Sequence, residues 1–233
     1  MKCLGLDPSL TAFGWAFHDD TKPVGDPARL IARGLFKTKP DMVFVDRYCL
    51  QRERVKSLVS ELKPDCVGME STTFGDDYSE GMYGLFLYTN EALRGLHCDV
   101  LFLSPPQPKA LAHEFLGRPR KWKMDKPDMI AAAKRDTGIT KWNHNEADAY
   151  LIAKYAARFW SLQRGIIEEK DLTPVESNTF VATHTYKRGK KAGTTEYRGA
   201  MFKEDYRFFQ WSRIEKEPDN NNGKEERNRT NDS

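Results

Sequence analysis

The sequence predicts an α/β fold in which a mixed five-stranded sheet is flanked by helices, opening in an antiparallel meander and finishing with crossovers. Three observations predict it. Three strand-like stretches follow one another near the N-terminus with no helix between them. Two more short apolar runs are then separated by helical patterns, the signature of crossover connections. Both the first and the fourth strand pattern stop on a carboxylate, Asp7 and Glu70.

Cys3, Leu4 and Leu6 form the first short apolar run, closed by Asp7-Pro8-Ser9. An acid at the C-terminal end of a strand lies on the rim of the sheet, where open α/β sheets bind ligands and metals. Taken alone, it could equally be an Asx-turn residue that terminates the strand. Residues 11–19 and 30–38 read as the second and third strands, with a Pro- and Gly-containing turn over 21–27. Residues 42–62 place Val45, Leu50, Val55, Leu58, Val59 and Leu62 at roughly helical spacing, and Pro64 ends that helix. The run 65–70 is a buried strand ending on Glu70. A helix with a broad apolar face follows over 79–95, then a strand over 99–104 closed by Pro105-Pro106. Helices are expected over 108–116, over 125–136 with Asp125 as N-cap, and over 143–160 with Asn143 and Glu146 as N-cap and capping-box partner.

Beyond residue 160 the pattern weakens. The division expected is 1–162 for the main domain, 163–216 for a basic and aromatic extension, and 217–233 for a disordered tail with almost no apolar residues. Within the extension, 179–186 alternates like a strand and 194–202 could return as its hairpin partner.

Composition narrows the function classes. Hydrophobic residues are 39% and charged residues 30% of the 233, and no apolar run reaches the ~20 residues of a membrane span. The N-terminus has no signal-peptide h-region, so a cytoplasmic protein is expected. The four cysteines show no CxxC pairing, and Cys3 and Cys66 fall in buried strands, which argues for a reducing compartment and against zinc. A net charge of +3 does not by itself announce a nucleic-acid binder.

A third acid joins Asp7 and Glu70: Asp148, on the last helix. Asn145 and His144 share its helical face, whereas Glu146 points away. Asp148 lies in an otherwise apolar stripe of Ala147, Leu151, Ile152 and Tyr155, where an unpartnered acid is costly. Three acids converging from distant positions suit hard divalent cations, mainly Mg2+ or Mn2+. Two such ions ~4 Å apart can activate water and stabilise the leaving oxygen in phosphodiester hydrolysis.

The segments LGLDPSLTAFGWA (4–16), VGMES (67–71) and NEADAYLIA (145–153) resemble, in type and order, the motifs of the RuvC family of Holliday-junction resolvases in the ribonuclease H-like superfamily. The resemblance spans residues 1 to about 160. It implies a ribonuclease H-like fold, Mg2+ as cofactor with Mn2+ substituting, and Asp7, Glu70 and Asp148 as metal-binding acids. Family members carry a fourth ligand three residues before the last acid, commonly Asp and in some His. Here that residue is Asn145, with His144 beside it, so either could complete the metal shell. The resemblance also implies a homodimer joined through the 79–95 helix, with a four-way DNA junction as partner.

Binding a branched duplex requires cations along the phosphate path. Lys109, Arg118, Arg120, Lys121, Lys123 and Lys126 cluster before the last helix, with Trp122 among them. By the resemblance, Lys126 and Lys109 support the active site. Phe74 resembles the aromatic residue that enters the junction centre, with Tyr78 as the alternative. The basic stretch could instead be a solvated face. Outside the resemblance, 185–213 holds eight basic residues against three acids, interleaved with Tyr, Phe and Trp. This composition fits contact with nucleic acid or packing onto the core.

Two rivals share parts of this pattern. An actin-like or sugar-kinase ATPase has a similar first strand, but this chain has no second Gly-rich phosphate loop and is too short for two lobes. A ribonuclease H-like module that binds branched DNA without cutting it would accommodate Asn145 in place of an acid.

Overall fold

The structure, a computed structural model, describes residues 1–71, 80–119, 123–181, 183–190, 192–197, 201–204, 207–209 and 213–214. Its elements run β1 (Lys2–Asp7), β2 (Ala12–Asp19), β3 (Leu30–Lys37), α1 (Phe44–Leu62), β4 (Cys66–Glu70), α2 (Glu80–Gly95), β5 (Val100–Leu103), α3 (Pro106–Phe115), α4 (Lys126–Thr137) and α5 (His144–Gln163). The extension adds α6 (Pro174–Phe180), β6 (Thr183–Thr185), β7 (Thr195–Tyr197), β8 (Met201–Glu204), β9 (Arg207–Phe209) and β10 (Arg213–Ile214).

The first five strands form the expected mixed sheet in the order β3-β2-β1-β4-β5. β1, β2 and β3 are an antiparallel meander, and β1-β4 and β4-β5 pair in parallel. Helices cover both faces, so the central strands are apolar on each side rather than alternating. Leu4, Leu6, Val67 and Met69 pack with Tyr48, Val55 and Val59 of α1 and Leu85 and Leu93 of α2. On the other face, Cys3, Cys66, Leu101 and Leu103 pack against Ile152, Tyr155 and Phe159 of α5. Cys3 and Cys66 are directly opposed free thiols, Sγ to Sγ 2.9 Å, and burial pushes the Cys3 thiol up. They behave as small core hydrophobes. No helix among the described residues is long and apolar enough to cross a membrane.

The helix ends follow the capping signals. α1 stops at Lys63, which takes a left-handed φ of 47° just before Pro64. Asp125 and Asp128 form a capping box on α4, and Asn143 and Glu146 form one on α5. A buried ionic cluster ties α4 and α5 to the connection between β2 and β3. Asp136 accepts from Lys154 Nζ (2.6 Å), Tyr150 OH (2.5 Å) and Arg29 Nε (3.1 Å), and Arg29 also reaches Asp20 (3.2 Å). Burial by itself would raise the Asp136 carboxyl; these partners hold it below its ordinary value.

The extension differs from expectation in two places. Thr179 and Phe180 are helical rather than extended, because Thr173 and Glu176 cap a short helix with Pro174 at its first position. Phe180 is buried against Tyr155 and Phe159. The hairpin forms, but between shorter strands, Thr183–Thr185 with Thr195–Tyr197. The remainder of the expected return strand is separate: Met201–Glu204 joins β5, so the main sheet gains β8 and β9. The proposed tail, 217–233, lies outside the described residues.

Candidate active site

Strand register places the first two acids side by side. Leu6 pairs with Met69 in parallel β1 and β4, so the next residues, Asp7 and Glu70, end adjacent strands at one edge of the sheet. Asp148 arrives from above on the second turn of α5. It can reach them because the helix rests almost directly on the sheet. A Cβ on Gly5 would sit 1.9 Å from Ala149 O and 2.6 Å from Ala153 N, and one on Gly14 would sit 2.3 Å from Asn145 O. The helix presents alanines at this contact, and the strands present glycines. The glycine–alanine seam is the positioning feature that the sequence reading missed. Its signal is present in Gly5 facing Ala149 and Ala153, Gly68 facing Ala156 and Gly14 facing Asn145, but it shows only when helix and strands are in register.

The three acids form one electrostatic unit. Burial, and then the neighbouring Glu70 and Asp148 charges, push the Asp7 carboxyl well up, and a hydrogen bond to Glu70 adds to this. Burial also raises Glu70, against the Asp7 hydrogen bond and Lys109, which pull it down. Asp148 is pushed up to about 6 by burial and by Glu70, with Lys109 and Lys126 opposing. Asp148 Oδ1 is buried with no hydrogen-bond partner among the described residues, a costly state for an acceptor atom.

The remaining candidates surround this unit. Asn145 Nδ2 donates to the Ala12 carbonyl at 2.6 Å, which fixes the amide against β2. His144 Nε2 lies 3.3 Å from Lys126 Nζ; burial and then that ammonium hold the imidazole below its ordinary value. Lys109 and Lys126 are exposed at the rim, and both act on the acids electrostatically. Arg118 Nη2 donates to the α4 capping residue Asp128 at 3.2 Å, so the structure places it at the base of α4 rather than among the acids. Phe74, Tyr78, Arg120, Lys121 and Trp122 lie outside the described residues.

The donor set fits a hard divalent cation: three carboxylates of raised proton affinity, one of them with an unpartnered buried oxygen. Among the described residues, no three His, Cys, Asp or Glu side chains are drawn into a ready-formed metal cage.

No protein-family model and no curated protein sequence matches the chain. Solved structures do match its fold. RuvC from T. thermophilus in complex with Holliday junction substrate superimposes with a TM-score of 0.54 at 19% identity, covering 71% of this chain and 96% of that one. A second Thermus thermophilus RuvC structure gives 0.54 at 20% identity, covering 71% and 97%. The chain is therefore folded as RuvC is, with a ribonuclease H-like mixed sheet.

Proposed function

We propose that this chain is a divalent-metal-dependent, structure-selective endodeoxyribonuclease that resolves Holliday junctions or related branched DNA by phosphodiester hydrolysis. The observation that carries the proposal is the convergence of Asp7, Glu70 and Asp148, from β1, β4 and α5, at one sheet edge of a RuvC fold. That one of the structural neighbours holds a Holliday junction substrate supports the choice of DNA.

Asp7, Glu70 and Asp148 are the residues that would hold Mg2+, or Mn2+ in its place, with Asn145 or His144 completing the shell. A divalent ion bound there would polarise the phosphodiester and acidify a bound water. The chain's own residues do the rest. Lys109 and Lys126 place positive charge beside the acids, where it offsets the phosphate. Burial, and then the Lys126 ammonium, hold the His144 imidazole below its ordinary value, which favours the neutral ring. The close seating of α5 on Gly5 of β1 and Gly14 of β2 sets Asp148 against the other two acids.

We assign residues 1–162 to this nuclease domain, working as a homodimer in the cytoplasm. Leu87 on α2, 44% exposed, and Phe44 and Val45 at the start of α1, 50% and 52% exposed, supply apolar surface on the layer where two copies would meet. Two-fold symmetry would then present two sites to a four-way junction.

The non-cutting reading is favoured by one observation, the amide at Asn145 pinned to Ala12. One experiment separates the two. A labelled four-way junction, a linear duplex and a single strand of matched sequence are incubated with the protein in Mg2+. Paired, symmetric nicks in the junction alone are expected. Tight junction binding with no nicks would favour the binding module.

A further inference from the structure

We infer that the β6–β7 hairpin is a second DNA-docking element, gripping the phosphate backbone of a duplex arm of the substrate away from the carboxylates. The inference rests on the nuclease reading above.

Charge is the first support. Residues 185–213 carry eight basic and three acidic side chains, a net of +5, whereas the whole chain carries +3. The rest of the chain is thus net −2, with three of its acids at the proposed cutting site. Lys109 and Lys126 offset the phosphate at the acids themselves; the extension supplies the chain's largest net positive charge for the rest of a polyanion.

Topology is the second. β8 pairs with β5 antiparallel, Met201 opposite Phe102, while Leu103 pairs with Glu70. The start of β8 therefore lies at the carboxylate end of the sheet, two strand spacings or ~10 Å across from β4. β9 returns to that same end, with Phe209 opposite Phe202. β7 ends at Tyr197, four residues before Met201, and β10 begins at Arg213, four after Phe209. At ~3.5 Å per residue the second sheet, β10-β7-β6, is tethered within ~14 Å of the carboxylate end at both connections.

The loop itself is the third. Tyr186 N donates to Thr194 O (3.0 Å) and Gly193 N to Tyr186 O (2.8 Å), closing the hairpin; Gly189 and Gly193 take φ of 83° and 84°. These bonds present Lys187, Arg188 and Lys190 as exposed side chains on a tight turn. Among the described residues, none of the three has an acidic partner. Three cations brought together on one loop repel one another, and a row of phosphates relieves that repulsion. Duplex contact of this kind reads the backbone and not the sequence.

The test compares the full-length chain with its K187A/R188A/K190A variant, both in EDTA, binding a four-way junction with 20-base-pair arms over a range of salt. Matched melting temperatures establish that the variant folds. The variant is expected to bind about tenfold or more weakly at low salt. Its log K against log salt slope should be shallower by about 2.7, the value for three lost phosphate contacts. Single-turnover cleavage at saturating protein in Mg2+ should be unchanged. Identical affinity and slope in the two proteins would overturn the inference. If the parent chain binds no junction at all, the nuclease reading itself fails and takes the docking role with it.

Discussion

Replacing Asp148 by Asn is expected to move activity and stability in opposite directions. Junction cleavage in Mg2+ should fall about 10³-fold or more, because a metal ion supplies several kcal/mol of transition-state stabilisation and each 1.36 kcal/mol is a factor of ten. Without metal, the same substitution should stabilise the protein. The folded chain holds the Asp148 proton up to about 6, against an ordinary 3.8. The unfolded chain releases that proton first, so metal-free stability falls as pH rises from about 4 to about 6. A shift of this size corresponds to about 3 kcal/mol. The amide of Asp148→Asn does not ionise, so the variant escapes the loss. Thermal melts in EDTA should show it about 5–10 °C more stable than wild type at pH 7, with the difference gone at pH 4. Adding Mg2+ at pH 7 should raise the wild type and narrow the gap. Equal melting temperatures at pH 7 in EDTA would mean that Asp148 is not held in a strained carboxylate cluster.

Replacing Gly5 by Ala should be the most damaging single-methyl change in the sheet. The added Cβ would meet the Ala149 carbonyl oxygen at 1.9 Å and the Ala153 nitrogen at 2.6 Å. Both are backbone atoms of α5, so no side chain can rotate away; the helix must lift off the sheet. Overpacking a tight core costs about 1–3 kcal/mol and sometimes more. Here the upper end is expected, read from urea denaturation as a lower midpoint with an unchanged slope. Lifting α5 also draws Asp148 and Asn145 away from Asp7, so cleavage by the folded fraction should fall as well. A variant with wild-type stability and activity would show that α5 does not rest on β1 in this way.

Parts of this architecture were legible in the sequence because they are written locally. Asp7 and Glu70 stand where apolar runs stop, and that position alone puts them at a sheet edge. Asn143 and Glu146 mark the start of α5 by capping chemistry, which in turn fixes the face that carries Asp148. The glycine–alanine seam was less visible. Gly5 and Gly14 look unremarkable in a strand, and Ala149 and Ala153 look unremarkable in a helix, until non-local packing sets one against the other. The short helix Pro174–Phe180 was hidden by the alternation of the residues that follow, although Thr173 and Glu176 already spelled its capping box. The addition of β8 to β5 joins residues about one hundred positions apart, and no short-range pattern encodes such a pairing.

The decisive experiment is cleavage of a labelled four-way junction by wild type and Asp7→Asn, compared in Mg2+ and at equal, saturating occupancy. Asp7 shares a hydrogen bond with Glu70 and senses the charge of both other acids, so it sits at the centre of the proposed metal site. Paired nicks by wild type are expected, vanishing in Asp7→Asn while binding persists. Nicks of undiminished rate from Asp7→Asn would place the activity outside these three acids and contradict the account.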